Sequence, residues 1–170
     1  MPGPGVIVDA CALGEGLGLR VVNAGDLFRD HVQRATPEGL RMAGYVHAGA
    51  AVPTDLLTDV VCAALPESGD DWLLYGHPRT VDQADALARR GCEPQAFIEL
   101  VMTADDVNRP DFWLAEYRRE NTLRVLPAYE AQMEPVRSHF RARGTYRGAA
   151  GFGGHEDVAS RLLAVLAGPG

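Results

Sequence analysis

The sequence contains no lysine, because all 16 of its Lys+Arg residues are arginine. Any chemistry that needs a cation must draw on guanidinium groups, which stay charged and grip oxyanions as planar forks. Long apolar runs are missing too. No stretch approaches the ~20 unbroken apolar residues of a membrane helix, and the N-terminus lacks the basic-then-apolar layout of an export signal, so a cytoplasmic location and no membrane partner are expected. Cysteine is scarce. Cys11, Cys62 and Cys92 stand far apart with no C-x-x-C spacing, which suggests neither a zinc site nor a disulfide framework and predicts reduced, partly buried thiols. Positive charge is in deficit as well: a net charge of −7 and a pI near 5.1 exclude a duplex nucleic-acid surface as partner. An anionic ligand would need a local basic pocket. His31, His47, His139 and His155 show no metal-ligand spacing and are expected on the surface, so no metal site is predicted.

What is present fits one domain spanning 1–170, since 170 residues with 46% hydrophobic content close one core with at most small insertions. Short apolar runs alternate with helical patterns, the signature of an α/β fold whose parallel strands are joined by crossover helices. Leu19–Asn23, Trp72–Gly76 and Ala96–Met102 read as strands buried on both faces. Thr36-Pro37-Glu38 supplies an N-cap and a first-turn proline, so a helix should run from there toward Gly44. Another helix begins after Pro53-Thr54, with Leu56, Leu57, Val60, Val61, Ala64 and Leu65 on its buried stripe. Glu67–Asp70 reads as a turn. Thr80-Val81-Asp82-Gln83 fits a capping box, and Gly91 sits where a left-handed C-cap would end that helix. Val158, Leu162, Val165 and Leu166 form the apolar stripe of a closing helix, while Gly148–Gly154 and the two glycine-proline termini read as flexible punctuation.

Three strings occur in order: Gly25-Asp26-Leu27-Phe28-Arg29, Gly49-Ala50-Ala51-Val52-Pro53, and Gly76-His77-Pro78-Arg79-Thr80-Val81-Asp82-Gln83-Ala84. Together they resemble the adenylate kinase motifs T-G-D-x-x-R, G-x-x-V-P and D-G-F-P-R-T-x-x-Q-A, which build that family's nucleoside-monophosphate site. The likeness continues through Ala96–Thr103 as a core strand, Tyr129–Phe140 as the long helix after the lid, and the C-terminal helix. It implies a parallel-sheet P-loop-kinase-like core with helices on both faces, a helical monophosphate-binding insertion over 24–66, and a shortened lid over 106–122.

Chemistry explains the residue types. A monophosphate carries about two negative charges near neutral pH, and bidentate guanidinium forks suit its oxygens. By resemblance, Arg29 and Arg79 form that clamp beside Gly25 and Asp26, Gly76 lets backbone approach the base, Gln83 reads a purine edge, and Val52 packs beside it. Each also has a plainer reading. Gln83 can simply complete the capping box, Arg29 can be a solvated helix residue, and Gly76 can merely end a strand.

The donor side departs from the family pattern, which opens with a strand and a G-x-P-G-x-G-K-G-T loop whose backbone and lysine cradle ATP. A gapless count places Pro2–Gly5 on that loop and Val6, Ile7, Val8 where Lys-Gly-Thr should stand, leaving no first strand. A second alignment makes Gly5–Asp9 the strand and Gly14-Glu15-Gly16 the loop, with Glu15 for the lysine and most of the first helix deleted. Both remove the cation. Tyr75 also replaces the aspartate that helps organise magnesium, so the resemblance counts against both ATP and Mg2+ here. Ala24 and Ala50 replace family threonine and lysine. In the lid, Arg109 matches the opening arginine, Trp113 takes the next arginine position, Arg118 and Arg119 lie in the closing stretch, and Arg124 neighbours Val125 at another. His77 stands where the family has phenylalanine; it can donate to phosphate or shuttle a proton, or merely satisfy a local hydrogen bond.

The expected function is to bind a nucleoside monophosphate or similar phosphorylated small molecule and act on its phosphate with a degenerate donor site. Arg29, Arg79, Arg119, Arg124 and His77 are the candidate catalytic residues, with Arg109, Arg118 and Arg119 as lid cations. The alternatives are a non-catalytic nucleotide sensor and a working kinase with an altered donor site.

Overall fold

The computed structural model describes residue 14 and residues 16–66, 70–109, 116–151 and 155–167, with the side chains of 116–119, 155 and 167 left aside. They gather into two compact units, one reaching Glu93 and the other starting at Pro94.

In the first unit, strand β1 (Arg20–Asn23) pairs in parallel with β2 (Trp72–Tyr75), in register from Arg20 opposite Trp72 to Asn23 opposite Tyr75. Between them run α1 (Ala24–Gln33), α2 (Pro37–His47) and α3 (Thr54–Ala64), and α4 (Val81–Arg89) follows β2. Helix α2 starts as its sequence predicts. Thr36 Oγ1 accepts the Gly39 N–H at 3.1 Å and Pro37 fills the first turn, but the helix passes Gly44 to end at His47. The glycine costs helix propensity without breaking a periodic run. Two apolar clusters hold the helices together: Met42, Leu56 and Val60 between α2 and α3, and Ala24, Val61 and Leu87 among α1, α3 and α4. Gly91, at φ +70°, ends α4 as expected, and Arg90 there donates to Asp59 Oδ1 at 2.6 Å and Asp55 Oδ1 at 3.0 Å on α3.

Several expectations need correction. Each predicted strand loses a residue or two at its ends, and β1 and β2 are mostly half-buried rather than covered on both faces, with Tyr75 40% exposed. A ladder of two short strands has no interior strand to bury fully. Gly14, Gly16 and Leu17 are helical, which opposes the alignment that made a loop of Gly14-Glu15-Gly16. The other donor-loop alignment, the Glu67–Gly69 part of the turn and the two termini lie outside the described residues.

The second unit contains β3 (Phe97–Val101), α5 (Ala104–Asn108), α6 (Glu116–Ala142), β4 (Tyr146–Ala150) and α7 (His155–Ala167). Strand β4 pairs in parallel with β3, Phe97 opposite Tyr146 through Val101 opposite Ala150. The Gly148–Ala150 part of the expected flexible stretch is therefore strand. Backbone pairing with Glu99, Leu100 and Val101 overrides the low β-propensity of Gly-Ala-Ala. Helix α6 spans 27 residues through Pro127 and Pro135, longer than the Tyr129–Phe140 stretch expected. On α7, Val158 and Leu162 are buried, whereas Leu166 turns out to solvent at 43% exposure. The α/β class with parallel strands and crossover helices is what the chain forms.

The second unit is pinned by a buried charge network. Arg137 on α6 forks onto Glu99 of β3, Nε to Oε2 at 2.6 Å and Nη2 to Oε1 at 2.7 Å, and Tyr146 of β4 donates its hydroxyl to Glu99 Oε2 at 2.9 Å. Hydrogen bonding to Glu99 holds the Arg137 guanidinium firmly charged. Removing one partner strands the other charge in a dry site. Arg137→Met should therefore lower stability by about 3 kcal/mol or more in urea unfolding, and adding Glu99→Leu to that variant should restore part of the loss.

Candidate functional site

Parallel pairing sets the geometry. With Asn23 opposite Tyr75, β1 and β2 end at one edge, and the carboxyl edge of parallel strands is where open α/β sheets bind ligands. β1 passes directly into α1. Asn23 Oδ1 caps that helix, accepting the Gly25 N–H at 2.9 Å and the Asp26 N–H at 3.3 Å. β2 continues through Gly76, at φ +82°, and a cis His77–Pro78 bond to Arg79 and the Thr80 cap of α4.

The two turns approach the same asparagine oxygen. A Cβ placed on Gly25 would lie 3.3 Å from Asn23 Oδ1 and 3.5 Å from Arg29 Nη1. One placed on Gly76 would lie 4.0 Å from the same Asn23 oxygen and 3.9 Å from Arg79 Nη2. The guanidinium groups of Arg29 and Arg79 thus border two glycines that flank one asparagine carboxamide. Side chains at either glycine would narrow the gap between them.

Each arginine is held differently. Arg29 ion-pairs with Asp26, one turn back on α1, and the two side chains are 63% and 64% exposed. An exposed pair of this kind contributes little, so an anion could displace Asp26 at small cost. Arg79 is half-buried, and its Nε donates to Gly76 O at 3.0 Å. Gln83 Oε1 accepts the Arg79 N–H at 2.7 Å, while Thr80 Oγ1 accepts the Gln83 N–H at 3.2 Å. The expected capping box is thus modified: the glutamine reaches past Thr80 to its predecessor and fixes the backbone that carries Arg79. Val52 packs on the Met42, Leu56 and Val60 cluster.

His77 is 5% exposed, and its Nε2 has no hydrogen-bond partner among the described residues. Burial first, and then the Arg79 charge, push its pKa down to about 4, so the imidazole is neutral at pH 7. A buried, unpaired ring nitrogen costs about 1–3 kcal/mol, against the apolar phenylalanine of the family motif. Among the other histidines, His31 is half-buried and bonded to Thr36 Oγ1 at 2.8 Å, and His139 packs edge-on to Phe140 rather than standing in solvent.

Arg109, at the end of α5, and Arg124, whose Nη2 donates to Asn121 Oδ1 at 2.6 Å on α6, belong to the second unit. The backbone of Arg118 and Arg119 is helical within α6, and their side chains lie outside the described residues, as does Trp113. Among the described residues no group of three or more His, Cys, Asp or Glu could hold a metal, and no helix is long and apolar enough to cross a membrane. Asn23 escaped the sequence reading. Its signal was an asparagine directly before a helix-starting Ala-Gly-Asp, the commonest kind of N-cap.

The parallel strands and crossover helices define an α/β protein of the P-loop-kinase-like type. Residues 1–145 match the family described as adenylate kinase. The chain is 30% identical to the adenylate kinase of Thermus thermophilus over 175 residues, covering 97% of this chain and 92% of that relative. To the adenylate kinase of Nocardia farcinica it is 33% identical, covering 97% and 94%. A shorter match of 89 residues, 51% of this chain and 49% of the relative, reaches 44% identity with the adenylate kinase of Corynebacterium glutamicum. The chain belongs to the adenylate kinase family.

His77 gives the first unit a pH signature. Its unfolded pKa of 6.5 exceeds the folded value of about 4, so the unfolded chain binds more protons between those limits. Stability contributed by the neutral ring is complete above pH 6.5, falls as pH drops toward 4, and levels off below. Between pH 7 and pH 4 the wild-type chain should lose up to about 3 kcal/mol more than His77→Phe, read from urea unfolding at each pH.

Proposed function

We propose that the chain binds a nucleoside monophosphate, or a similar phosphorylated small molecule, at the carboxyl edge of β1 and β2 and acts on its phosphate. The observation that carries this reading is the pair of guanidinium groups, Arg29 and Arg79, set beside Gly25 and Gly76 on adjoining turns. In this reading Arg29 exchanges Asp26 for phosphate, and Arg79 keeps its Gly76 hydrogen bond while turning a further N–H toward the anion. The Gln83 amide N–H2, opposite an oxygen already engaged by Arg79, reads the base, and Val52 lines its apolar side. Neutral His77 adds a hydrogen bond to the phosphate or shuttles a proton. Arg109, Arg118, Arg119 and Arg124 supply lid cations.

The donor half is degenerate in this reading. A chain whose cations are all arginine cannot offer the lysine that holds transferring phosphates in related enzymes. Phosphoryl transfer depends almost wholly on positioning and charge, so losing that contact raises the barrier by several kcal/mol, on the order of 3 or more. Tyr75, exposed at the end of β2 where the family motif has aspartate, offers magnesium no carboxylate. The same absence supports the second reading, a nucleotide sensor without catalysis.

Calorimetry should show AMP binding at least about tenfold more tightly than ATP, and Arg79→Ala or Arg29→Ala weakening it by about 10- to 100-fold. ATP binding as tight as AMP would refute the proposed site. Chromatography after incubation with ATP, magnesium and AMP should show little ADP; brisk turnover restores an ordinary kinase with arginine in the lysine's place. Product analysis over a nucleotide panel separates the enzyme, which converts one compound, from the sensor, which leaves all unchanged.

A further inference from the structure

We propose that Cys62 and Cys92, remote in sequence, form a reversible disulfide in response to oxidants of the peroxide class, fastening α3 to the turn that follows α4. Asp55, Asp59 and Cys62 follow one another at i, i+4 and i+7 along α3 and so share one face of that helix. The first two carry Arg90, through Nη2 to Asp55 Oδ1 at 3.0 Å and Nε to Asp59 Oδ1 at 2.6 Å. Arg90 is the C-cap of α4, and Cys92 stands two residues beyond it. Backbone bonding fixes that cysteine in place, since its N–H donates to Leu87 O at 3.0 Å and its Sγ donates to Arg90 O at 3.7 Å. The acidic face of α3 is therefore tied to Arg90, two residues before the second cysteine. Both thiols pack against the same apolar trio of Ala24, Val61 and Leu87, and both are partly exposed, so a small oxidant can reach them.

Burial first, and then hydrogen bonding and charge from Cys92, push the Cys62 thiol up to about 12, with Arg90 opposing and Asp59 adding to the rise. A thiol raised in this way is slow to form a thiolate, which makes Cys62 a poor first nucleophile, and the proposed sequence therefore begins at Cys92. The Cys92 thiolate attacks one peroxide oxygen, the O–O bond breaks, and an alcohol, or water from hydrogen peroxide, leaves a sulfenic acid on Cys92. The Cys62 sulfur then attacks Cys92 Sγ, the S–O bond breaks, and the Cys62 proton departs with the hydroxide as water. Two thiols and one peroxide become one disulfide, one water and one alcohol. The new bond ties together helices that already share the salt bridges of Arg90. It also rests on Ala24, the first residue of α1 and the neighbour of Gly25.

This inference does not rest on the function proposed above, because its readout involves no ligand. The full chain is treated with one equivalent of hydrogen peroxide, digested without reduction and mapped by mass spectrometry. The expected dominant product is a Cys62–Cys92 crosslink within one molecule, reversed by dithiothreitol and still formed in Cys11→Ser. Oxidation should raise Tm by about 5 °C or more, as closure of an internal loop does. A crosslink through Cys11, disulfide-linked dimers, or sulfinic acid on either cysteine without a crosslink would overturn the proposal. The wild-type chain and Cys11→Ser together decide between these outcomes even where Cys62→Ser and Cys92→Ser fold poorly.

Discussion

The parallel register of β1 against β2 is the constraint on which the candidate site depends. Four residue pairs, ending with Asn23 opposite Tyr75, bring two strand ends to one edge. Strand side chains alternate, so a slip of a single residue would turn buried Val22 outward and separate the Asn23 cap from Gly76. The core reinforces the register. Ala24, the first residue of α1, is 5% exposed and packs with Val61 and Leu87 of two other helices, so the start of α1 is fixed both by its strand and by its apolar footing. Arg29 then lies one turn along a helix whose origin is settled, and Arg79 on a loop whose origin is settled by the partner strand.

Electrostatics at this edge follows from what each cation touches. The side chain of Arg137 in the second unit is 8% exposed and has its full fork committed to Glu99, with Glu130 at 2.8 Å; its removal leaves a charge that cannot be solvated. Arg29 has the same chemistry and the opposite situation, a 63% exposed side chain beside an equally exposed Asp26. The same side chain is thus committed where it is buried, as Arg137 is, and only loosely paired where it is exposed, as Arg29 is. His77 fits the same logic. Burial and Arg79 keep it neutral, so the loop following β2 does not place a second full positive charge next to the arginine.

Much of this was legible in the sequence where local rules decide. Proline and threonine fixed the start of α2, Gly91 the end of α4, and ordered motifs pointed to the family that the comparisons show. What escaped was decided at long range. β4 has a Gly-Ala-Ala end with no strand character of its own and is strand because β3 pairs with it. Glu99 and Arg137 lie on different elements, 38 residues apart, and nothing in either local pattern announces that they form one buried pair. The capping residue Asn23 was readable by its type, but its place near the Gly76 turn depends on strand pairing that composition does not encode. Two cysteines without a motif spacing pack on one apolar trio for the same reason.

The all-arginine charge set bears unequally on the two halves of a phosphoryl transfer. Holding an acceptor phosphate is static work, in which two oxygens in a plane meet a rigid fork. A guanidinium pre-organised by a backbone hydrogen bond, as Arg79 is by Gly76 O, loses little freedom on binding. Stabilising a phosphoryl group in transfer asks for positive charge placed on its equatorial oxygens, which a lysine supplies as a compact point charge and an arginine as a planar fork. A chain without lysine must draw the positive side-chain charge for both roles from arginine. In the function proposed above that charge on the donor side falls to Arg109, Arg118, Arg119 and Arg124, all of which belong to the second unit.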